Sequence, residues 1–72
     1  MQNKYEKLIQ RTKQLIESIK VEPFRGIGKP EPLKHNLAGN WSRRINDEHR
    51  MIYKVETGKV IIVALTRHYQ SI

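Results

Sequence analysis

The sequence has no cysteine, only one tryptophan and one phenylalanine, and half as many acidic as basic residues. Without cysteine, disulfides, thiolate nucleophiles and cysteine-based metal centres are excluded. The same absence fits a cytoplasmic chain, because disulfides are typical of oxidising compartments. No apolar run approaches the roughly 20 residues of a membrane span, and the first 20 residues are too charged for a secretory signal. We therefore expect a soluble cytoplasmic protein.

The composition describes a small and strongly basic domain. A chain of 72 residues is expected to form one domain that buries only about 60% of its unfolded surface. Fourteen Lys and Arg against seven Asp and Glu give a net charge of +7 and a sequence pI of about 10.1. Such a charge density attracts polyanions. Nucleic acid is the first candidate partner, an acidic protein the second and an anionic membrane the third.

The hydrophobic pattern predicts one helix followed by strands. Apolar residues recur at three- and four-residue spacing over residues 3–20, which is typical of an amphipathic helix. Prolines and glycines indicate a loop over residues 21–39. Alternation of period two then predicts three strands, at about 40–46, 49–56 and 59–68. We expect an α+β fold in a single domain, 1–72, with the helix packed on one face of an antiparallel three-stranded meander.

The loop between the first two predicted strands decides which residues share a face. A two-residue loop would pair Ile45 with Arg50 and mix charges into both faces. A three-residue loop pairs Arg44 with Arg50 and gathers an apolar face that the helix can cover. We therefore predict the three-residue loop, 46–48. The opposite face is then basic, and if Ile61, Val63 and Leu65 also face the helix it carries Ser42, Arg44, Arg50, Lys54, Ala64, Thr66 and His68.

Glu31 lies between two prolines, in the sequence Pro30-Glu31-Pro32. Each proline fixes its own φ, and a residue before proline is pushed out of the helical region. The carboxylate therefore belongs to a stiff, extended segment. Such placement suits a general base, which must be held within hydrogen-bond reach of its proton. An ordinary solvated loop glutamate is the alternative interpretation.

These residue types fit the cleavage of RNA without a metal. The reaction needs a base for the 2′-hydroxyl, cations for the phosphorane and an acid for the departing 5′-oxygen. Glu31 is the candidate base, and Arg44 and Arg50 are candidates to clamp the phosphate. His68 is the candidate acid, and Tyr69 is the aromatic side chain best placed to stack on a base. The irregular spacing of the histidines argues against a metal site, and His49 is more readily structural.

Three segments resemble the YoeB/Txe family of bacterial toxin–antitoxin toxins, in the RelE-like superfamily: KPEPLKHNL, WSRRI-x-x-EHR and the terminal RHY. The similarity runs from about residue 21 to residue 69. It implies a small RelE-like domain that acts as a ribosome-dependent mRNA endoribonuclease without cofactor and is held inactive by a YefM-like antitoxin. The family's catalytic residues align with Glu31, Arg50, His68 and Tyr69. Lys34, His35 and Arg44 match positions that the family uses for substrate or catalysis.

The predicted site therefore has two groups. The catalytic residues are Glu31, Arg50, His68 and Tyr69, and the residues for substrate or RNA binding are Lys34, His35, Arg43, Arg44 and Arg67. The resemblance also implies a strand and a helix ahead of the helix at residues 3–20, and this chain shows neither. Two alternatives follow: a truncated, non-catalytic remnant that binds antitoxin or RNA, or a co-repressor acting with the antitoxin. A homodimer is a further expectation, because dimerisation would cover an exposed sheet edge.

Overall fold

The computed structural model describes residues 3–67. The predicted helix is present and shifted by one residue, and the chain then forms a short 3₁₀ helix and four strands. In order, these elements are α1 (Lys4–Val21), β1 (Glu31–Pro32), the 3₁₀ helix (His35–Leu37), β2 (Trp41–Arg44), β3 (Arg50–Glu56) and β4 (Lys59–Thr66).

Helix α1 begins and ends at residues whose side chains or backbone satisfy its free polar groups. The Asn3 side chain accepts a hydrogen bond from the Glu6 backbone N–H at 2.8 Å, which caps the first turn. At the other end, the backbone N–H of Glu22 donates to the Ser18 carbonyl. Leu15 and Ile19 are fully buried on the inner side of the helix. Within the described part of the chain, no helix is both long and apolar enough to cross a membrane.

The strands form one antiparallel sheet in the order β1-β2-β3-β4. Arg44 is opposite Arg50, and the backbone N–H of Ile45 donates to the His49 carbonyl at 2.8 Å. The three-residue loop predicted between β2 and β3 is therefore confirmed, as is the α+β fold with one helix. The strand that the prediction missed is β1, which pairs Glu31 with Ser42 at the sheet edge.

The helix packs on one of the two faces of the sheet. The core cluster lies between α1 and the strands β2 and β3, and its buried members are Leu15, Ile19, Ile45, Met51 and Tyr53. We call this side the helix face. The opposite side, the open face, carries the residues that alternate with these. By strand register they include Glu31, Ser42, Arg44, Arg50 and Ile52.

The alternation in β4 is interrupted, which corrects part of the prediction. Leu65 is opposite Met51 and Thr66 is opposite Arg50, as expected. The register then shifts, so that Ile62 is opposite Tyr53 on the helix face and Ile61 is opposite Lys54 on the open face. The condition that Ile61 faces the helix is therefore not met, although Ala64 and Thr66 lie on the open face opposite Ile52 and Arg50. An extra residue in one strand moves every side chain beyond it to the other face.

Candidate active site

The open face holds an ion pair between two strands that are not neighbours. Arg50 Nη1 of β3 lies 3.9 Å from Glu31 Oε1 of β1, and β2 lies between these strands. The Glu31 side chain is 61% exposed and that of Arg50 is 27% exposed. A pair this long and this open contributes little to stability. The Glu31 carboxylate and the Arg50 guanidinium can therefore each leave this ion pair and contact a ligand instead.

The backbone holds Glu31 firmly, as the prolines predict. Its strand β1 pairs with β2, and directly after it the Leu33 N–H donates to the Asn40 carbonyl at 2.9 Å. Proline lacks a backbone donor and is tolerated on an edge strand, so Pro32 does not disturb this arrangement. The carboxylate thus projects from a stiff edge while its own side chain stays accessible.

Arg44 lies beside this pair, directly opposite Arg50 in the register of β2 and β3. Like charges in opposite positions of a sheet destabilise it. Glu31 is the carboxylate that pairs with Arg50, and none of the described carboxylates pairs with Arg44. Two half-buried guanidiniums with one paired carboxylate leave a local excess of positive charge. This excess favours an anionic ligand such as a phosphate, which arginine can bind in a bidentate manner.

Ser42 lies on β2 in the middle of this arrangement. It is opposite Glu31 on one side and Ile52 on the other. Its side chain is fully buried, and its hydroxyl has no hydrogen-bond partner among the described residues. Sequence alternation placed Ser42 on this face but gave no reason to count it in the site.

Arg43 requires a correction, because the structure places it in the protein interior rather than on an RNA-binding surface. It is fully buried on the helix face. Its Nε–H donates to the Tyr53 hydroxyl at 3.1 Å, and Nη1 donates to the Ser18 hydroxyl at 2.7 Å and the Ile27 carbonyl at 3.1 Å. Nη2 donates to the carbonyls of Glu22 at 2.8 Å and Arg25 at 2.7 Å.

These contacts use all the donors of the Arg43 guanidinium, which has five N–H groups. Carbonyl oxygens after the last turn of α1 supply negative potential for the buried charge. Gly28 lets the chain pass close by: a Cβ there would lie 2.7 Å from Leu15 Cδ2, and its φ is +83°. Arg43 therefore ties the loop after α1 to the sheet and has no donor left for RNA.

The remaining basic residues lie outside the ion pair. Lys34 and His35 are exposed at the 3₁₀ helix, and within the described part of the chain their side chains form no hydrogen bond or ion pair. His35 has a φ of 57°, a left-handed backbone conformation that histidine adopts more readily than most residues. Both supply positive charge at the end of β1.

Arg67 is not brought to the open face. Its Nη2 pairs with Glu48 Oε2 at 3.2 Å. The two residues line a cleft of about 230 Å³ on the helix side, together with Lys4, Tyr5, Leu8 and His49. His49 is half-buried there and its Nδ1 lies 3.0 Å from Asn46 Oδ1, which agrees with a structural role.

His68 and Tyr69 lie outside the described residues. Within residues 3–67, no group of three or more His, Asp or Glu side chains is arranged to hold a metal ion. The open face therefore supplies a carboxylate and two guanidiniums, which can accept a proton and bind a phosphate.

Comparison with known proteins identifies relatives for the whole described fold. A family model described as a YoeB-like toxin of bacterial type II toxin–antitoxin systems matches residues 1–69. Toxin YoeB of Synechocystis sp. is 53% identical over 64 residues, which span 89% of this chain and 74% of the relative. Toxin YoeB of Escherichia coli K12 is 48% identical over 63 residues, which span 88% of this chain and 75% of the relative.

Solved structures agree with the sequence relatives. The YoeB–YefM complex from Staphylococcus aureus matches with a TM-score of 0.84 at 42% identity, over 92% of this chain and 77% of the other. The YoeB dimer from the same organism matches with a TM-score of 0.79 at 44% identity, over 88% of this chain and 74% of the other. The RelE-like fold class expected from the three sequence segments is thereby confirmed. This chain belongs to the YoeB-like toxin family of bacterial type II toxin–antitoxin systems.

Proposed function

We propose that this toxin is a cytoplasmic, ribosome-dependent mRNA endoribonuclease that inhibits translation. The observation that carries the proposal is the open-face pairing of Glu31 with Arg50 beside Arg44, which pairs with none of the described carboxylates. A base next to two guanidiniums suits attack of a 2′-hydroxyl on the adjacent phosphate. The net charge of +7 supports binding to ribosome-held RNA.

The reaction then runs as a transesterification. Glu31 accepts the proton of the 2′-hydroxyl while the 2′-oxygen forms a bond to phosphorus. Arg50 and Arg44 donate hydrogen bonds to the non-bridging oxygens, where charge develops in the transition state. The bond from phosphorus to the 5′-oxygen breaks, and His68 donates the proton that this oxygen takes. The products are a 2′,3′-cyclic phosphate and a 5′-hydroxyl end.

The other predicted residues take supporting roles in this proposal. Tyr69 stacks on or orients a base beside His68, and Lys34 and His35 add positive charge near the phosphate. Arg43 and Arg67 are left out of the RNA-binding set, because one is buried and the other lies on the helix side of the sheet. No step needs a metal or a cofactor, since RNA supplies its own nucleophile.

We further propose that a YefM-like antitoxin binds this toxin and suppresses its activity. The relatives from Staphylococcus aureus include a toxin–antitoxin complex and a toxin dimer. A homodimer of this chain is therefore part of the proposal. Co-expression with a YefM-like antitoxin followed by size-exclusion chromatography checks both, because a complex, a dimer and a monomer elute at different volumes.

Induced expression in bacterial cells tests the function. The wild-type chain, Glu31→Gln and Glu56→Gln are expressed with and without a YefM-like antitoxin, while growth and mRNA 5′ ends are recorded. We expect growth arrest and new 5′ ends within translated messages for the wild type and for Glu56→Gln, whose side chain is 54% exposed and away from the site. Glu31→Gln should give neither.

Relief by the antitoxin is expected to restore growth and remove the new ends together. A folded wild-type protein that leaves growth and mRNA intact would contradict the proposal and favour a non-catalytic binding protein. Arrest without new mRNA ends would also contradict it, since another target would then be responsible.

A further inference from the structure

The hydroxyl of Ser42 is buried and has no hydrogen-bond partner within residues 3–67. A buried hydroxyl without a partner costs stability, so its presence calls for a reason other than folding. On the open face Ser42 lies between Glu31 and Ile52.

The position of Ser42 explains how Glu31 and Arg50 meet. They belong to strands separated by β2, and two strand spacings correspond to about 10 Å. Their side chains must therefore reach across β2, where Ser42 lies directly opposite Glu31. Opposite residues have Cβ atoms about 5 Å apart, so the Glu31 carboxylate can fold back over Ser42. A small side chain at this position leaves the path open.

The ion pair itself is loose, at 3.9 Å. A phosphate bound between Arg44 and Arg50 competes with Glu31 for the Arg50 guanidinium. The carboxylate then loses its cation at the moment when it must be held toward the 2′-hydroxyl. A hydrogen-bond donor beside it would keep it in place and in its charged form.

We propose that Ser42 is the positioning residue for the Glu31 carboxylate: when phosphate draws Arg50 away, the Ser42 hydroxyl donates a hydrogen bond to Glu31 and orients it toward the 2′-hydroxyl. This role rests on the proposed ribonuclease function. In the structure the Glu31 carboxylate pairs with Arg50, and the Ser42 hydroxyl has no hydrogen-bond partner among the described residues. Exchange of partners by Glu31 couples phosphate binding to the orientation of the base.

The exchange can be tested in the free protein, without any RNA. Arg50→Met removes the guanidinium and so imitates its withdrawal by phosphate. Four proteins are compared: the wild type, Ser42→Ala, Arg50→Met and the double variant. In each, the pH midpoint of the Glu31 side-chain carboxyl ¹³C resonance is measured. In the Arg50→Met background, Ser42→Ala should raise the midpoint by about half a pH unit, because the hydrogen bond favours the carboxylate.

The background with Arg50 present is the matched control. There Ser42→Ala should move the midpoint by less than about 0.2 pH unit, since the carboxylate is engaged elsewhere. No shift in the Arg50→Met background would overturn the proposal. An equal shift in both backgrounds would also overturn it, because the hydrogen bond would then be permanent and not exchanged.

Thermal stability and cleavage rate should change in opposite directions in Ser42→Ala. Ser42→Ala removes an unpartnered buried hydroxyl, so the thermal midpoint should rise by about 4 °C. Ribosome-dependent cleavage should nevertheless slow about 10-fold in kcat with KM unchanged. Thr12→Val is the control, because it removes a hydroxyl that bonds the Leu8 carbonyl in α1, away from the open face, and should leave cleavage unchanged.

The two readouts separate this role from the proposed function. The predicted carboxyl shifts in a protein that cleaves no RNA would support the Glu31–Ser42 contact and contradict the ribonuclease proposal. Cleavage by the wild type with an unchanged kcat in Ser42→Ala would overturn the role of Ser42 alone.

Discussion

Arg43 and Arg44 are neighbours in the chain and have opposite environments. Arg43 is fully buried on the helix face, and its donors are all taken by protein acceptors. Arg44 is half-buried on the open face, where it faces another arginine and pairs with none of the described carboxylates. One residue type thus ties the fold together at one position and has no carboxylate partner among the described residues at the next.

The difference comes from the alternation of side chains along β2. Successive residues of a strand point to opposite faces, and only one face of this sheet is covered by α1. On the covered face a guanidinium must satisfy every donor within the protein, because an unpaired buried charge is costly. On the open face water can solvate it, so the protein can leave a guanidinium available. Position on the sheet, and not charge, decides which arginine is buried and which remains accessible.

Removing each arginine in turn tests this contrast most strongly. Arg43→Met should lower the free energy of unfolding by about 3 kcal/mol, because the loop after α1 loses its attachment to the sheet. Arg44→Met should change it by less than about 0.5 kcal/mol. Urea denaturation followed by Trp41 fluorescence measures both. Equal stability of the two variants would show that the Arg43 contacts do not hold the fold.

Cleavage should depend more strongly on Arg50, which pairs with Glu31, than on Arg44. Arg50→Ala should reduce kcat/KM about 100-fold and Arg44→Ala about 10-fold, because each removes donors to the developing charge on phosphate. Cleavage of a ribosome-bound message, quantified by primer extension, measures the two rates. A larger loss for Arg44→Ala than for Arg50→Ala would move the centre of the site away from the Glu31–Arg50 pair.

The loop that encloses Arg43 can be tested with glycines. Gly28→Ala should cost about 2 kcal/mol, because alanine is strained at positive φ and its Cβ would meet both Leu15 and the Arg44 carbonyl oxygen. Gly58→Ala is the control: its φ is +70° but nothing lies within 4 Å of the added Cβ, so about 1 kcal/mol is expected. Thermal denaturation compares them. A smaller loss for Gly28→Ala would show that the loop yields to the added carbon.

The smallest effect is expected at Arg67. Its pair with Glu48 is exposed, at 69% and 45% of the two side chains, and such pairs contribute little. Arg67→Gln should leave the free energy of unfolding nearly unchanged. The cleavage rate should stay within about twofold of the wild type, since the residue lies on the helix side. A tenfold loss of cleavage in the same primer-extension assay would place Arg67 in the RNA path after all.

Local pattern predicted the helix, the loop between β2 and β3, and the facing of Arg44 and Arg50, since all three follow from periodicity and short-range register. The flanking prolines predict that Glu31 lies on a stiff segment. They do not predict that this segment pairs with β2, because that pairing depends on how the intervening loop folds back. The alternation also assigned Arg43 to the face that carries Trp41 and Ile45. This alternation favours burial of Arg43, whereas its basic side chain alone suggests RNA binding.

Two features could not be predicted from the pattern. The register shift in β4 gives no local sign, because Ile61, Ile62 and Val63 are all apolar and fit either face. That the Ser42 hydroxyl has no hydrogen-bond partner among the described residues depends on how the surrounding groups are oriented, which only three-dimensional packing decides. Both features concern contacts between residues far apart in the chain.

In the proposed reaction, the open-face carboxylate of Glu31 is the base of a ribonuclease. The most direct test is single-turnover cleavage of a ribosome-bound mRNA by the wild type, Glu31→Gln and the control Glu56→Gln, with a 2′-deoxy nucleotide at the cleaved position as a second control. We predict a loss of at least about 100-fold for Glu31→Gln, none for Glu56→Gln, and no cleavage at the 2′-deoxy position. Wild-type rates for folded Glu31→Gln would show that Glu31 is not the base.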